Sequence, residues 1–215
     1  MRVACLGGGP AGLYFAISMK LRDPANEVVV IERNKADDTF GWGVVLSDET
    51  LTNLADNDPK SAEAIRAHFS YWDDVAVKYR GAKTVSTGHG FCGIGRKQLL
   101  ILLQQRAREL GVDLRFETEA QSAADYNKDY DLVVACDGLN SKTRTDYAEH
   151  FQPDIDTRKC KFVWLGTHQK FDDAFTLKKP TRDGSGRTPI SLMMKRRPSL
   201  SNVRKRRGTP MALAR

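Results

Sequence analysis

The chain has little of what marks a secreted, metal-bound or membrane protein. Its 215 residues hold four cysteines, Cys5, Cys92, Cys136 and Cys160, and no CxxC pair. That spacing excludes a dense disulfide framework and fits a reducing cytoplasm, where isolated cysteines act as small apolar side chains. The histidines, His68, His89, His150 and His168, show neither metal-ligand nor triad spacing. Each reads as a structural or surface residue, and no metal is expected. No apolar stretch reaches the roughly 18 residues that span a bilayer, so no membrane partner is expected. Residues 3–19 carry no charge, but four glycines and a proline interrupt them, which breaks the continuous apolar core of a signal peptide. No internal repeat is present.

Acidic residues are scarce at one end. Residues 177–215 hold twelve Lys or Arg against a single acid, Asp183, whereas residues 1–176 hold 22 basic and 26 acidic residues. The formal net charge of +7 therefore joins a mildly acidic body to a strongly basic tail. The tail, with "MMKRRPSLSNVRKRRGTP", is rich in Arg, Pro, Ser and Gly and has no sustained hydrophobic period. It is expected to be disordered. Its charge would attract a polyanion, yet it has no aromatic residue on which bases stack, which argues against nucleic acid as a partner.

The body reads as alternating strands and helices. "RVACLG" is a short buried strand, and "PAGLYFAISMKLR" (10–22) sets Leu13, Ala16, Ile17 and Leu21 on one helical face. "EVVVIE" (27–32) is a β-branched run typical of a strand covered on both faces. "DDTFGWGVVLSDETL" reads as a glycine-containing loop, "DPKSAEAIRAHF" (58–69) as a helix, and "YWDDVAVKYR" and "KTVSTG" as strands joined through Gly81. "GRKQLLILLQQRAREL" (95–110) is the clearest helix, with Leu99, Leu100, Leu102 and Leu103 as its core face. "DLRFET" and "DLVVACDG" are two more strands, "NSKTRTDYAEHF" starts a helix, and "KCKFVWLGTHQKF" reads as a strand. The fold class is α/β.

Between the first strand and helix stands Gly7-x-Gly9-x-x-Gly12, which is GGGPAG with Pro10 and Ala11. Gly7 permits the tight turn, Gly9 lets backbone approach a pyrophosphate, and Gly12 lets the helix pack close to the strand. Free N–H groups and the positive helix end then face the phosphates. Glu32 stands 20 residues after Gly12 at the end of the second strand, where a carboxylate accepts from a ribose hydroxyl. The pattern points to a dinucleotide and leaves FAD or NAD(P) open. A packing-only turn is the bland alternative. Three further segments bear on the choice. Arg96, at the start of its helix, is placed to reach phosphate, or is a solvated charge. Asp137 and Gly138 end a buried strand where open α/β sheets place ligands, with Asn140 or Ser141 as a plain helix cap in the alternative. Gly41 and Gly43 flank Trp42, so that loop can lie flat beside a planar ring.

Taken in this order, these segments resemble the FAD-dependent aromatic hydroxylases, the single-component flavoprotein monooxygenases, over about residues 1–176. GGGPAG with Glu32 and Arg33 is similar to that family's ADP-binding element, and Arg96 to its FAD-phosphate arginine. "DLVVACDGLNSKTR" is similar to its Asp-Gly motif, shared by FAD and the pyridine nucleotide. "GWGVVLSDETL" with "GHGFCGIGRKQLL" is closer to the branch acting on salicylyl-CoA and 2-aminobenzoyl-CoA. The resemblance implies a Rossmann-like FAD-binding domain of the GxGxxG type with inserted strands. It also implies Gly43, Val44 and Val45 near the flavin ring, and hydroxylation of an aromatic CoA thioester with NAD(P)H and O₂. It assigns no catalytic acid or base and no oligomeric state.

The chain departs from the family near residue 177. The Gly-Asp motif that holds the ribityl part of FAD has no match, since "DGSGR" (183–187) is not it, and the substrate sheet does not follow. The expectation is therefore a truncated hydroxylase module, residues 1–176, ending in a basic tail of out-of-frame or foreign sequence. Alternatives are an inactive FAD-binding fragment, another FAD- or NAD(P)-dependent oxidoreductase, and a nucleic-acid-binding protein built around the tail.

Overall fold

A computed structural model describes residues 1–79, 82–157, 159 and 176–178. The opening strand β1 (Arg2–Leu6) leads through the glycine turn into α1 (Pro10–Arg22) and then β2 (Glu27–Ile31). Then come β3 (Gly43–Ser47), α2 (Asp48–Asn57), α3 (Pro59–Arg66), β4 (Ser70–Trp72), β5 (Val75–Tyr79), β6 (Ala82–Ser86) and β7 (Phe91–Gly95). The long helix α4 (Arg96–Glu109) leads to β8 (Asp113–Arg115), α5 (Ala123–Tyr126), β9 (Leu132–Ala135), α6 (Lys142–Asp146) and α7 (Ala148–Phe151). A last strand, β10 (Thr176–Lys178), pairs parallel with β5.

The central sheet runs β8-β2-β1-β9 with every pair parallel. Alternation along its strands sends successive residues to opposite faces, and both faces are buried. Val3, Cys5, Val28 and Val30 pack with Leu13, Ala16 and Ile17 of α1 and Leu99, Leu100 and Leu103 of α4. Ala4, Leu6, Val29 and Ile31 face the other way, toward Ala123 and the partly buried Tyr126, Tyr130 and Tyr147. This double cover is why β1 and β2 carry almost uninterrupted apolar runs. Burial also pushes the Cys5 thiol up to about 12, with Cys136 adding to the shift, so Cys5 serves as an apolar core residue. Two further arrangements have antiparallel pairs, one ordered β3-β7-β4 and the other built on the β5–β6 pair.

The structure corrects the sequence reading at several points. The stretch read as a glycine loop contains β3 and α2. Val44 and Leu46, two residues apart, pack against the core, while Ser47 caps α2 by accepting from the Thr50 N–H, with Asp48 and Glu49 in the first turn. Strand β7 pairs with β3 from Gly43↔Gly95 to Ser47↔Phe91, although two of its five residues are glycine. "YWDDVAVKYR" is divided between β4 and β5 around Asp73 and Asp74, and the helix expected after Asp137 is two short ones meeting at Tyr147. The strand read at "KCKFVWLGTHQKF" and most of the basic tail lie outside the described residues, as does the Gly81 link.

One buried ion pair locks the helical layer. Asp58, 2% exposed, receives Arg106 Nε at 2.8 Å and Nη2 at 2.9 Å, plus the Ser61 hydroxyl at 2.6 Å. It precedes α3, and Arg106 projects from α4, so the pair clamps the two helices. Burial pushes the Asp58 carboxyl up, but the hydrogen bonds and charge of Arg106 and Ser61 outweigh it and hold it below its ordinary value. A depressed native pKa stabilises fully above the unfolded value of about 3.9, and the contribution fades as pH falls through the native value. Asp58→Ala is therefore expected to lower the unfolding free energy by about 3 kcal/mol near neutrality. In urea melts the gap to the parent protein should close as pH drops below about 4. A gap that stays constant under acid would contradict this account.

Candidate functional site

The four parallel strands end at one edge of the sheet. From β1 the chain builds outward through β2 to β8, then returns to the opposite side of β1 for β9. The reversal beside β1 is the place where open α/β sheets form a ligand crevice. The glycine turn, Glu32 and Asp137 follow β1, β2 and β9, so the topology brings these three to a single edge.

Within the turn each glycine has its own reason. Gly7 adopts φ +122°, and its N–H donates to the Ile31 carbonyl at 2.8 Å. A Cβ there would stand 2.2 Å from the Cys136 carbonyl oxygen, and one at Gly12 would stand 2.0 Å from the Gly7 oxygen. A Cβ on Gly9 would meet nothing within 4 Å. Gly7 and Gly12 are thus demanded by the protein's own packing, while Gly9 borders open space. Helix α1 starts at Pro10 with no acidic residue in its first turn and no side-chain cap. Helical geometry leaves the N–H groups of Ala11 and Gly12 without intrahelical partners, at the positive end of the helix dipole. Such an end binds anions, phosphate among them.

Gly8 is the residue that the sequence reading passed over. It occupies a free position of the motif, yet a Cβ there would lie 2.8 Å from Glu32 Cβ. Glu32 lies across the turn: its Oε2 accepts from the Gly8 N–H at 2.7 Å, and its Oε1 accepts from the Asn34 N–H at 2.8 Å and Asn34 Nδ2 at 2.6 Å. The expected ribose acceptor is therefore already part of the turn's scaffold. Arg33 beside it is exposed. Only a third consecutive glycine hinted at Gly8, and nothing in the sequence hinted at Asn34.

Asp137 likewise has partners within the fold. Its Oδ2 accepts from the Thr143 N–H at 3.0 Å, and Ser141 caps α6 by accepting from the Arg144 N–H at 2.9 Å. Burial pushes the Asp137 carboxyl up, but hydrogen bonds from Ser141 and Thr143 win and hold it below its ordinary value. Gly138 follows with φ +77°. Ser141 is thus the helix cap, and the Asp137 carboxylate assists it.

Arg96 opens α4, and its N–H donates to the Trp42 carbonyl at 3.2 Å. This ties the start of α4 to the start of β3. Its Nε is buried with no hydrogen-bond partner among the described residues, an unmet donor of the kind an anion satisfies. Gly43 and Val45 share a sheet face with Gly95 and Gly93, whereas Val44 turns its side chain to the core. A surface cavity of about 580 Å³ lies apart from the turn, against α4 and Ala36–Asp37. Among the described residues no group of three His, Cys, Asp or Glu is arranged to hold a metal, and no helix is long and apolar enough to cross a membrane.

No family model matches the chain. A salicyloyl-CoA 5-hydroxylase of Streptomyces is 48% identical over 172 residues, which is 80% of this chain and 33% of that protein. The protodeoxyviolaceinate monooxygenase of Chromobacterium violaceum is 32% identical, over 80% of this chain and 46% of its own. A 3-hydroxy-4-methyl-anthranilyl-aryl-carrier-protein 5-monooxygenase of Streptosporangium sibiricum is 32% identical, over 86% and 51%. Among solved structures, 2-methyl-3-hydroxypyridine-5-carboxylic acid oxygenase in its tetrameric form superposes with a TM-score of 0.64 at 26% identity, over 74% of this chain and 45% of its own. The p-nitrophenol 4-monooxygenase of Pseudomonas putida has the same fold, with a TM-score of 0.55 at 18% identity, over 74% and 45%. The chain spans a third to a half of the length of its curated relatives. Over that shared stretch it is similar to aromatic-ring monooxygenases.

Proposed function

We propose that this chain is the nucleotide-binding portion of an FAD-dependent monooxygenase, and that the enzyme hydroxylates an aromatic acyl-CoA thioester of the salicylyl-CoA or 2-aminobenzoyl-CoA type with NAD(P)H and O₂. The observation that carries the reading is the 48% identity to a salicyloyl-CoA 5-hydroxylase across 80% of this chain. Residues 1–176 form the Rossmann-like FAD-binding module in this reading, and 177–215 are a basic tail. A cytoplasmic location goes with it.

The residues present fit FAD. The open side of Gly9 and the N–H groups of Ala11 and Gly12 would cradle the pyrophosphate, with Pro10 fixing the start of the helix. Glu32 and Arg33 would hold the adenosine half. Arg96, with its unmet Nε, would take a phosphate oxygen. Gly138 would let backbone approach near Asp137, and Gly43 with Val45 would border the ring from the glycine-lined face of β3 and β7. Bound flavin would supply the redox and oxygen chemistry, and the protein's share is to bind, orient and exclude water. No residue of this chain is assigned as a catalytic acid or base.

An absorbance spectrum of the purified protein, with the cofactor released on denaturation, tests the reading. Flavin near stoichiometry, released as FAD, is the expected result, together with NAD(P)H oxidation stimulated by salicyloyl-CoA. FAD without that stimulation would point to another flavin oxidoreductase. A colourless protein that also ignores added FAD would leave an inactive fragment. A pair of glycine variants separates packing from binding. Gly12→Ala is expected to lower the thermal midpoint, because its Cβ would meet the Gly7 oxygen at 2.0 Å. Gly9→Ala should leave that midpoint near the parent value, since a poorer N-cap is offset by lower unfolded-chain entropy. Its affinity for FAD should nevertheless fall about tenfold or more, which titration by fluorescence reads directly.

A further inference from the structure

Glu32 carries an unusual load for a nucleotide-binding carboxylate. An ionised carboxylate offers about four acceptor positions over its two oxygens. Both positions of Oε1 are filled by one residue, Asn34, through its N–H at 2.8 Å and its side-chain Nδ2 at 2.6 Å. One position of Oε2 is filled by the Gly8 N–H at 2.7 Å. Among the described residues, a single acceptor position is left, on Oε2, next to the turn.

Asn34 is itself firmly held. The pairing of β2 with β8 continues past the strand ends: the Glu32 N–H donates to Arg115 at 2.8 Å, and the Thr118 N–H donates back to Glu32 at 3.0 Å. The Asn34 carbonyl accepts from the Glu117 N–H at 3.2 Å, where Glu117 adopts φ +54°. Two residues on, the buried Gln104 donates to the Ala36 carbonyl at 2.8 Å. The Asn34 amide therefore arrives from a fixed backbone, and the Glu32 carboxylate has no freedom to rotate without losing two hydrogen bonds.

We propose that Asn34 is a positioning residue for nucleotide binding, which fixes Glu32 so that the acceptor position left on Oε2, beside Gly8, takes the ribose 2′-hydroxyl. The inference rests on the proposed nucleotide site. It assigns the turn, the carboxylate and the ribose contact to one unit whose setting depends on Asn34. Without the Asn34 side-chain amide, Oε1 gains a free acceptor position and the carboxylate, left with two backbone N–H donors, is held less firmly. The ribose hydroxyl then meets a mobile partner and loses most of the benefit of a charge-assisted hydrogen bond.

The test is calorimetric titration of the full chain and its variants with FAD, ADP and 2′-deoxy-ADP. The parent protein is expected to prefer ADP over 2′-deoxy-ADP by about tenfold, the worth of a hydrogen bond to a charged group. In Asn34→Ala the affinities for FAD and ADP should fall while that for 2′-deoxy-ADP changes little, so the preference collapses toward one. A loss of general structural support would weaken both nucleotides equally and leave the ratio intact, and that outcome overturns the proposal. Asn34→Asp, of the same shape, places a second carboxylate against Glu32. Its ADP affinity should be poor at pH 8 and recover on acidification, as the two carboxylates share a proton. A flat pH profile for this variant also counts against Asn34. If the parent protein binds ADP and 2′-deoxy-ADP alike, the ribose contact is wrong while the nucleotide site stands. If it binds neither FAD nor ADP, the site itself is wrong and the proposal falls with it.

Discussion

The close approach of the first glycine turn to the ends of its two neighbouring strands is the constraint on which the rest of the site depends. Gly7 sits so near the Cys136 carbonyl that a methyl group would overlap it, and Gly12 sits equally near Gly7. The Gly7 N–H is bonded to Ile31 of β2, and the Cys136 N–H is bonded to Leu6 of β1, each at 2.8 Å. Three strand ends are thus laced into one backbone unit before any ligand arrives. This crowding sets the angle at which α1 leaves the sheet, and so the direction in which its unpaired N–H groups point. Substitutions at Gly7 or Gly12 act on the sheet first and on binding only as a consequence.

Much of this was legible in the sequence, because the signals were local. The span of α1 is fixed by Pro10 at its start and by apolar spacing along it, and the structure begins and ends it where the pattern does. The β-branched run of β2 and the leucine-rich α4 were equally plain. What escaped detection depends on partners distant in sequence. Strand β7 is poor in strand-forming residues, and it exists because β3 and β4 pair with it on either side. The β3 segment reads as a loop when its glycines are counted, and as a strand only once Val44 and Leu46 are known to have a core to enter. Asn34 gave no signal at all, since an Asn after a strand is ordinary turn chemistry until its hydrogen bonds are seen.

The two carboxylates singled out as ligand contacts turn out to be structural groups as well. Glu32 braces the glycine turn, and Asp137 braces the start of α6. A carboxylate already held by the protein binds less flexibly than a free one, but it needs no reorganisation when the ligand docks. Affinity gained this way comes from ordering completed during folding. For Glu32, spacing in the sequence reports where the carboxylate stands and says nothing of which lone pairs remain.

Arg96 shows the opposite arrangement, a charged group whose needs the protein leaves partly unmet. Its backbone N–H is committed to Trp42, and its Nε is buried with no partner among the described residues. A buried donor without an acceptor costs the folded chain free energy on the order of 1–3 kcal/mol. That cost would be recovered when an anion reaches it. The carboxylates Glu32 and Asp137 are thus satisfied from within, by Gly8, Asn34 and the start of α6, whereas the N–H groups at the start of α1 lack intrahelical partners and the Arg96 Nε has none among the described residues. In the proposed nucleotide complex, phosphates would meet those donors and a ribose hydroxyl would meet the remaining acceptor of Glu32.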